Sequence, residues 1–126
     1  LKVKDIMRRG KFNPIVGEEA LVKEVILKIT TSHAGAATVI DKDKKLVGIF
    51  TDGDLRRNLA NPNNLLKKKV KLVMTKKPIV VRDYDLASEA LKILEKKKID
   101  EVPVVDKNHC PVGMLDIQDL IAAGLI

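Results

Sequence analysis

Apolar and polar residues alternate along the chain in patterns that predict both helices and strands. Residues 21–29 and 86–94 place apolar side chains three and four positions apart, which is typical of amphipathic helices. After each helix come two short apolar runs joined by a polar turn, which predicts an antiparallel hairpin. A second helix is expected after Thr51 and after Asp116. The paired runs cover residues 36–40 with 45–50, and 101–105 with 111–115.

The same unit occurs twice in the chain. Residues 41–55 align with residues 106–120 at a constant offset of 65 positions. Further upstream, residues 3–7 match 70–74, and residues 14–16 match 78–80. The sequence therefore predicts an α/β (α+β) fold of two β-α-β-β-α repeats, spanning 1–62 and 63–126. Because a unit of about sixty residues buries little core alone, we expect the two to pack together.

Composition narrows the class of protein. Of 126 residues, 45% are hydrophobic and 33% charged, and no apolar run approaches the ~20 residues that cross a bilayer. The chain begins at Leu1 rather than Met, so we expect a fragment of a longer protein. Cys110 is the single cysteine and cannot form an internal disulfide, which favours a reducing, cytoplasmic location.

Charge favours anionic partners. Lys and Arg total 24 against 17 acidic residues, a formal net charge of +7, which suits phosphorylated metabolites, nucleotides, nucleic acid or a membrane surface. Lysine runs at residues 67–71 and 96–98 are interpreted as solvated helix ends and loops. Single-stranded nucleic acid is usually bound with stacking aromatic side chains. Only three aromatic residues are present here, Phe12, Phe50 and Tyr84, which disfavours nucleic acid as the partner without removing it as an alternative.

The end of the first hairpin carries the main candidate motif, GIFTDGD at residues 48–54. Thr51 followed three residues later by Asp54 matches a capping box, in which each side chain bonds a free helix amide. A second interpretation is a ligand site. Gly48 lets backbone approach a ligand closely, a helix N-terminus attracts phosphate, and a carboxylate can accept ribose hydroxyls.

The doubled unit with Gly-h-h-Thr-x-x-Asp, where h is apolar, resembles a tandem cystathionine β-synthase (CBS) domain pair, or Bateman module. The resemblance covers essentially the whole chain and implies pseudo-twofold packing, with clefts that bind adenosyl and other nucleotides. By position, Thr51 would contact phosphate and Asp54 the ribose. The base is expected near Ile15, Ala36 and Ala37.

The second repeat departs from that pattern. Asp116 stands where the family usually has Ser or Thr, and a carboxylate there repels phosphate, although Asp119 is retained. This half-site is therefore expected to be altered. Arg56 and Arg57 lie one turn into the first-repeat helix and can reach a phosphate or a sugar carboxylate, or can simply be surface arginines.

Three segments of the chain narrow the resemblance to one group of CBS proteins. They read GIFTDGDLRR, DLIAAGLI and VKDIMRRG. They are similar to the C-terminal CBS pair of D-arabinose 5-phosphate isomerases. In that family a preceding sugar isomerase (SIS) domain makes a precursor of 3-deoxy-D-manno-octulosonate (Kdo) for lipopolysaccharide. The resemblance implies a regulatory chain that binds an adenine or cytidine nucleotide or CMP-activated Kdo and needs no cofactor. It also implies an SIS domain in the parent, a homodimer through CBS pairs and a tetrameric parent.

Other chemistry finds little support. The spacing of His33, His109 and Cys110 matches no metal site, and neither a Walker A loop nor GxGxxG is present. We do not expect this chain to be an enzyme. Three interpretations remain: a ligand-sensing CBS pair attached to an isomerase, a dimerisation module with degenerate pockets, and a basic nucleic-acid-binding module.

Overall fold

The predicted repeat is visible in the order of helices and strands. The computed structural model describes residues 1–60 and 63–126, so the predicted boundary at Pro62 lies outside the described residues. The first half contains α1 (Val3–Ile6), β1 (Ile15–Gly17), α2 (Val22–Ser32), β2 (Ala36–Ile40), β3 (Leu46–Thr51) and α3 (Asp52–Leu59). The second half contains β4 (Thr75–Lys76), β5 (Val81–Arg82), α4 (Ala87–Lys97), β6 (Glu101–Val105), β7 (Pro111–Asp116) and α5 (Ile117–Ala122). The β-α-β-β-α order and the α+β class are confirmed in both halves.

Both predicted hairpins form, and their turns share one design. Oδ1 of Asp41 accepts hydrogen bonds from the amides of Asp43 and Lys45 at 2.8 and 3.0 Å. Oδ1 of Asp106 does the same for the second hairpin, at 2.8 and 3.0 Å. The repeated Asp is therefore a turn-forming residue, since a carboxylate two residues ahead of an amide mimics a backbone turn.

Residues from the other half pair with the edge strand of each sheet. In the first sheet β1, β2, β3 and β4 lie in that order, so β4 from the second half is the edge strand beside β3. In the second sheet, of β5, β6 and β7, a single antiparallel bridge joins Met114 to Arg8 from the first half. The two halves are therefore interlocked, because a segment that precedes the main strands of each half pairs with the sheet of the other.

The apolar stripes predicted for α2 and α4 lie in the cores. Val22 and Val25 of α2 are fully buried, as is Ala87 of α4. Leu86 is an exception, because it precedes α4 as its N-cap and is 52% exposed. The longest helices, α2 and α4, have 11 residues each. In the described ranges no helix has the length and apolar character to span a membrane.

A small apolar cluster joins the halves. It consists of Ala36, Ile49 and Met114, which are 0%, 6% and 3% exposed. Ile49 and Met114 are equivalent positions of the repeat, one on β3 and one on β7. Contact between equivalent residues is what a pseudo-twofold axis between the halves requires.

Candidate functional site

A cleft of about 780 Å³ lies between the start of α3 and the second half of the chain. We call it the α3 cleft. From the first half, Thr51, Arg56 and Arg57 line it. The second half supplies a mixed side: the apolar residues Pro78, Ile79, Ile99 and Pro103 lie among the polar and charged residues Thr75, Lys77, Lys98, Asp100 and Glu101.

The Thr51–Asp54 pair forms the predicted capping box. Oγ1 of Thr51 accepts a hydrogen bond from the Asp54 amide at 3.2 Å, and Oδ2 of Asp54 accepts one from the Thr51 amide at 2.9 Å. Thr51 is the N-cap of α3, with an extended backbone. The capping interpretation of the motif is therefore confirmed.

Asp54 is more than a surface cap. It is 2% exposed, and Thr51 Oγ1 also donates to Oδ2 at 3.1 Å. Oδ1 accepts from Thr75 Oγ1 at 2.8 Å and from the Arg57 guanidinium. Four donors match the roughly four lone-pair sites of a carboxylate. A ribose hydroxyl can therefore bond Asp54 only by displacing a donor; the exposed donors are Thr75 and Arg57, whose side chain is 66% accessible.

Gly48 has a different role from the one expected. A Cβ on Gly48 would overlap the Met74 thioether and come within 2.9 Å of the Thr75 carbonyl oxygen. The space beside this glycine is taken by the chain that forms β4, not by a ligand. The prediction that Gly48 opens the site to a ligand is therefore wrong, and the glycine allows β4 to dock.

The residues expected near a base do not line the α3 cleft. Ile15 lies in another groove, of about 880 Å³, between residues 10–15 and α2. Ala37 is fully buried in the first-half core, and Ala36 is fully buried between the halves. The cleft beside Thr51 instead takes its apolar side from the second half, because the repeats face each other across the pseudo-axis.

The equivalent position in the second half is held by an ion-pair cluster, which we call the Arg8 cluster (Arg8, Asp116 and Asp119). Nε of Arg8 donates to both Asp119 oxygens at 3.2 and 3.1 Å, and its guanidinium lies 3.9 Å from Asp116. Asp119 also accepts the Asp116 amide at 3.1 Å, which completes a second capping box. Arg8 thus offsets the negative charge that Asp116 introduces.

Sequence reasoning missed Arg8, although the repeat contained a signal for it. Aligning Met7 with Met74 places Arg8 opposite Thr75. Each of these residues bonds the capping carboxylate of the other half, Thr75 to Asp54 and Arg8 to Asp119. The arginine therefore lies beside the second half-site, which contains the additional acid Asp116, and the threonine lies beside the first.

Glu101 gives the α3 cleft an unusual electrostatic feature. It is the first residue of β6 and pairs across the sheet with Asp116. Burial, with a smaller contribution from the nearby negative charges of Asp116, Asp52 and Asp100, raises the pKa of Glu101 to about 7 against the opposing effect of Arg8. This carboxyl therefore changes protonation state near neutral pH.

The lysine runs are partly structural. Glu19 bonds both Lys69 and Lys71, at 2.7 and 2.6 Å, and these bonds lower the pKa of Glu19 to about 2. Among the described residues no group of three His, Cys, Asp or Glu side chains could hold a metal ion. His33 ends α2 in the left-handed conformation, and His109 lies in the second hairpin turn.

Comparison with known proteins identifies the family. The family model described as the CBS domain matches residues 3–61 and again residues 70–125. The chain belongs to the CBS domain family. It is 40% identical over 126 residues to arabinose 5-phosphate isomerase KdsD of Pseudomonas aeruginosa. The aligned region covers the whole of this chain and 39% of that protein. The chain spans about two-fifths of the length of the curated relatives it matches.

Solved CBS structures share the fold. CBSX2 of Arabidopsis thaliana, in complex with AMP, has a TM-score of 0.85 at 27% identity, covering 98% of this chain and 96% of that one. The CBS domain protein PAE2072 of Pyrobaculum aerophilum, also complexed with AMP, has a TM-score of 0.82 at 27% identity, covering 95% and 90%. The two interlocked β-α-β-β-α halves thus have the architecture of a CBS pair.

Proposed function

We propose that this CBS pair binds one nucleotide or nucleotide sugar per chain in the α3 cleft and thereby regulates a sugar-phosphate isomerase. The observation that carries the proposal is the composition of the cleft. The N-terminus of α3 and two arginines line it from the first half, and the second half adds an apolar patch of Ile79, Ile99 and two prolines together with charged side chains.

Charge in the cleft suits a phosphate. The partial positive charge of a helix N-terminus favours anions, and Arg56 and Arg57 add guanidinium groups that can bind phosphate through two hydrogen bonds. Lys77 and Lys98 also line the cleft, so four basic side chains stand against Asp52, Asp100 and Glu101. Thr51 supplies a hydroxyl at the same place. An anionic group is expected beside Thr51, with Arg57 shifting from Asp54 towards it.

The apolar side suits a flat ring. Ligand pockets are mainly apolar with a few polar groups that fix orientation, and Ile79 and Ile99 provide such a surface opposite the arginines. AMP complexes of CBSX2 and PAE2072 are consistent with this assignment. The Arg8 cluster, by contrast, has an acid at the Thr51 position and an internal cation bound to it, which supports one ligand per chain.

The parent activity is inferred from the relatives. Because the matched relatives include arabinose 5-phosphate isomerases, we place this CBS pair after an SIS domain that interconverts arabinose 5-phosphate and ribulose 5-phosphate for lipopolysaccharide synthesis in the cytoplasm. Candidate ligands are adenine and cytidine nucleotides and CMP-activated Kdo.

Calorimetric titration with AMP, ATP, CMP and CMP-activated Kdo tests the proposal. One of them is expected to bind and to raise the melting temperature, since a ligand at about a hundred times its Kd stabilises a fold by ~2.7 kcal/mol. Arg56→Ala is expected to weaken binding about tenfold, because a charged hydrogen bond to phosphate is lost. Arg82→Ala, at an exposed arginine absent from the cleft lining, is the matched control and should bind normally.

Failure of all four ligands to bind at millimolar concentration would contradict the proposal. Assembly would then be the better-supported function, since Leu27 and Leu66 line one apolar groove beside α2 while 68% and 52% exposed. Such exposed apolar surface is typical of a contact with a second copy.

A further inference from the structure

A second groove, of about 690 Å³, adjoins the α3 cleft along β4, and we call it the β4 groove. Successive side chains of a strand point to opposite faces of the sheet. Thr75 accordingly lines the α3 cleft, whereas its neighbours Met74 and Lys76 line the β4 groove. The next residues, Lys77 and Pro78, line both. β4 is therefore the wall that the two share.

The β4 groove contains an exposed apolar residue that the fold does not require. Leu72 is 67% exposed. The equivalent residue of the first repeat is Asp5, whose carboxylate accepts the Lys2 amide at 2.8 Å. Because the fold accepts a carboxylate at this position, a leucine beside an apolar groove indicates a surface that a partner covers. The other apolar residues of the lining are buried or half-buried: Leu46, Val47, Met74 and Pro78.

The charges around the β4 groove are mainly positive. Lys76 and Lys77 are exposed, and no ion pair between described residues includes either of them. Lys71 also lines the groove, but it already bonds Glu19 at 2.6 Å. Among the described residues of the lining, only Glu18 is acidic. Acidic groups on a partner therefore complement two lysines that the chain itself leaves unpaired.

We propose that the β4 groove binds an acidic segment of the catalytic domain of the same polypeptide, with an apolar side chain of that segment packed on Leu72. This inference rests on the proposed function, in which a catalytic domain is attached to the CBS pair. The chain spans about two-fifths of the length of its curated relatives, so those relatives contain further chain that such a groove can receive. An acidic segment with an apolar anchor matches both the leucine and the unpaired lysines.

β4 also links the groove to the proposed nucleotide site. Thr75 Oγ1 donates to Asp54 Oδ1 at 2.8 Å, and Arg57 bonds the same oxygen. A phosphate that draws Arg57 away from Asp54 therefore changes the bonds that hold β4 beside α3. An element that two sites both contact can transmit the occupancy of one site to the other. Nucleotide binding in the α3 cleft thus alters how firmly the catalytic domain is held in the groove.

The test compares the full polypeptide that contains this CBS pair with the isolated chain. Hydrogen–deuterium exchange at residues 72–77 is expected to be slower in the full polypeptide, because the catalytic domain covers the groove. Leu72→Asp copies the residue of the first repeat, so the melting temperature and nucleotide affinity of the isolated chain should stay unchanged. In the full polypeptide, Leu72→Asp should restore fast exchange. It should also abolish the effect of AMP or CMP on the isomerase rate, which we expect to be about fivefold in the unmodified enzyme.

Leu59→Asp is the matched control. Leu59 is also exposed, at 54%, but it lines neither the β4 groove nor the α3 cleft. This variant of the full polypeptide should keep both the slow exchange at residues 72–77 and the effect of the nucleotide.

Three results would overturn the inference while leaving nucleotide binding intact. The first is fast exchange at residues 72–77 in the unmodified full polypeptide, and the second is an unchanged nucleotide effect in Leu72→Asp. The third is slow exchange that appears in the isolated chain as its concentration is raised, since that result assigns the groove to a second copy. If no nucleotide binds the isolated chain, the proposed function fails, and the regulatory role of the groove fails with it.

Discussion

Asp54→Ala is expected to destabilise the fold by about 3 kcal/mol and to lower the melting temperature by about 10 °C. The substitution removes the cap of α3. It also leaves the Thr51 amide, the Thr75 hydroxyl and the Arg57 guanidinium without their acceptor. Because Asp54 is 2% exposed, water does not readily fill the space that it leaves, although the exposed Arg57 and Thr75 side chains can be solvated. Urea denaturation gives the change directly, as a lower midpoint at an unchanged slope.

Asp119→Ala is the matched control, because it removes the equivalent cap of α5. The Asp119 side chain is 22% exposed against 3% for that of Asp54, so water can more readily take the place of the Asp119 carboxylate. The expected cost is about 1 kcal/mol. Equal losses in the two variants, or a loss below about 1 kcal/mol for Asp54→Ala, would contradict the role assigned to the buried carboxylate.

Gly48→Ala is expected to cost about 2–3 kcal/mol through overpacking. The added methyl group would overlap the Met74 side chain and press on the Thr75 carbonyl oxygen at 2.9 Å. The Met74 side chain can rotate away. The Thr75 carbonyl cannot move as easily, because it belongs to β4, in which Thr75 pairs with Ile49 and Lys76 pairs with Gly48 of β3. Thermal unfolding followed by circular dichroism measures the effect.

Two further glycines serve as comparisons for that variant. Gly113→Ala should cost a similar amount, since its Cβ would come within 2.9 Å of the Arg8 carbonyl oxygen. Gly53→Ala should be neutral or stabilise by up to about 1 kcal/mol, because its nearest neighbours would lie 3.4 Å away and alanine favours the helix. A wild-type melting temperature for Gly48→Ala would show that β4 does not dock against β3 in the way described.

Local features of the fold follow from the sequence, because their causes lie within a few residues. The spacing of Thr51 and Asp54 predicts a capping box, and the structure confirms it with bonds in both directions. Likewise, the repeated apolar runs and turns predict both hairpins. The pattern wrongly predicts that Leu86 is buried. An apolar residue at an N-cap position has the spacing of the helical stripe, although it lies outside the buried face.

The composition of the cleft could not be predicted in the same way. A repeat shows that two units are alike, but it does not show which edge of one faces which edge of the other. The repeat therefore does not show that Ile15 lines a different groove from Thr51, nor that the second-half residue Ile79 lines the α3 cleft. Glu101 is a partly buried acid whose environment comes from Gly35 and Asp116, which are distant in sequence or on another strand.

The most direct test of the account is an amide NMR titration of the chain with AMP and with CMP. We expect shifts concentrated at Thr51, Gly53 and Arg57 and on the second-half side of the α3 cleft, with little change at Asp116 and Gln118 and saturation at one ligand per chain. Shifts centred on the Arg8 cluster instead, or no shifts at millimolar nucleotide, would contradict the assignment of the α3 cleft as the nucleotide site.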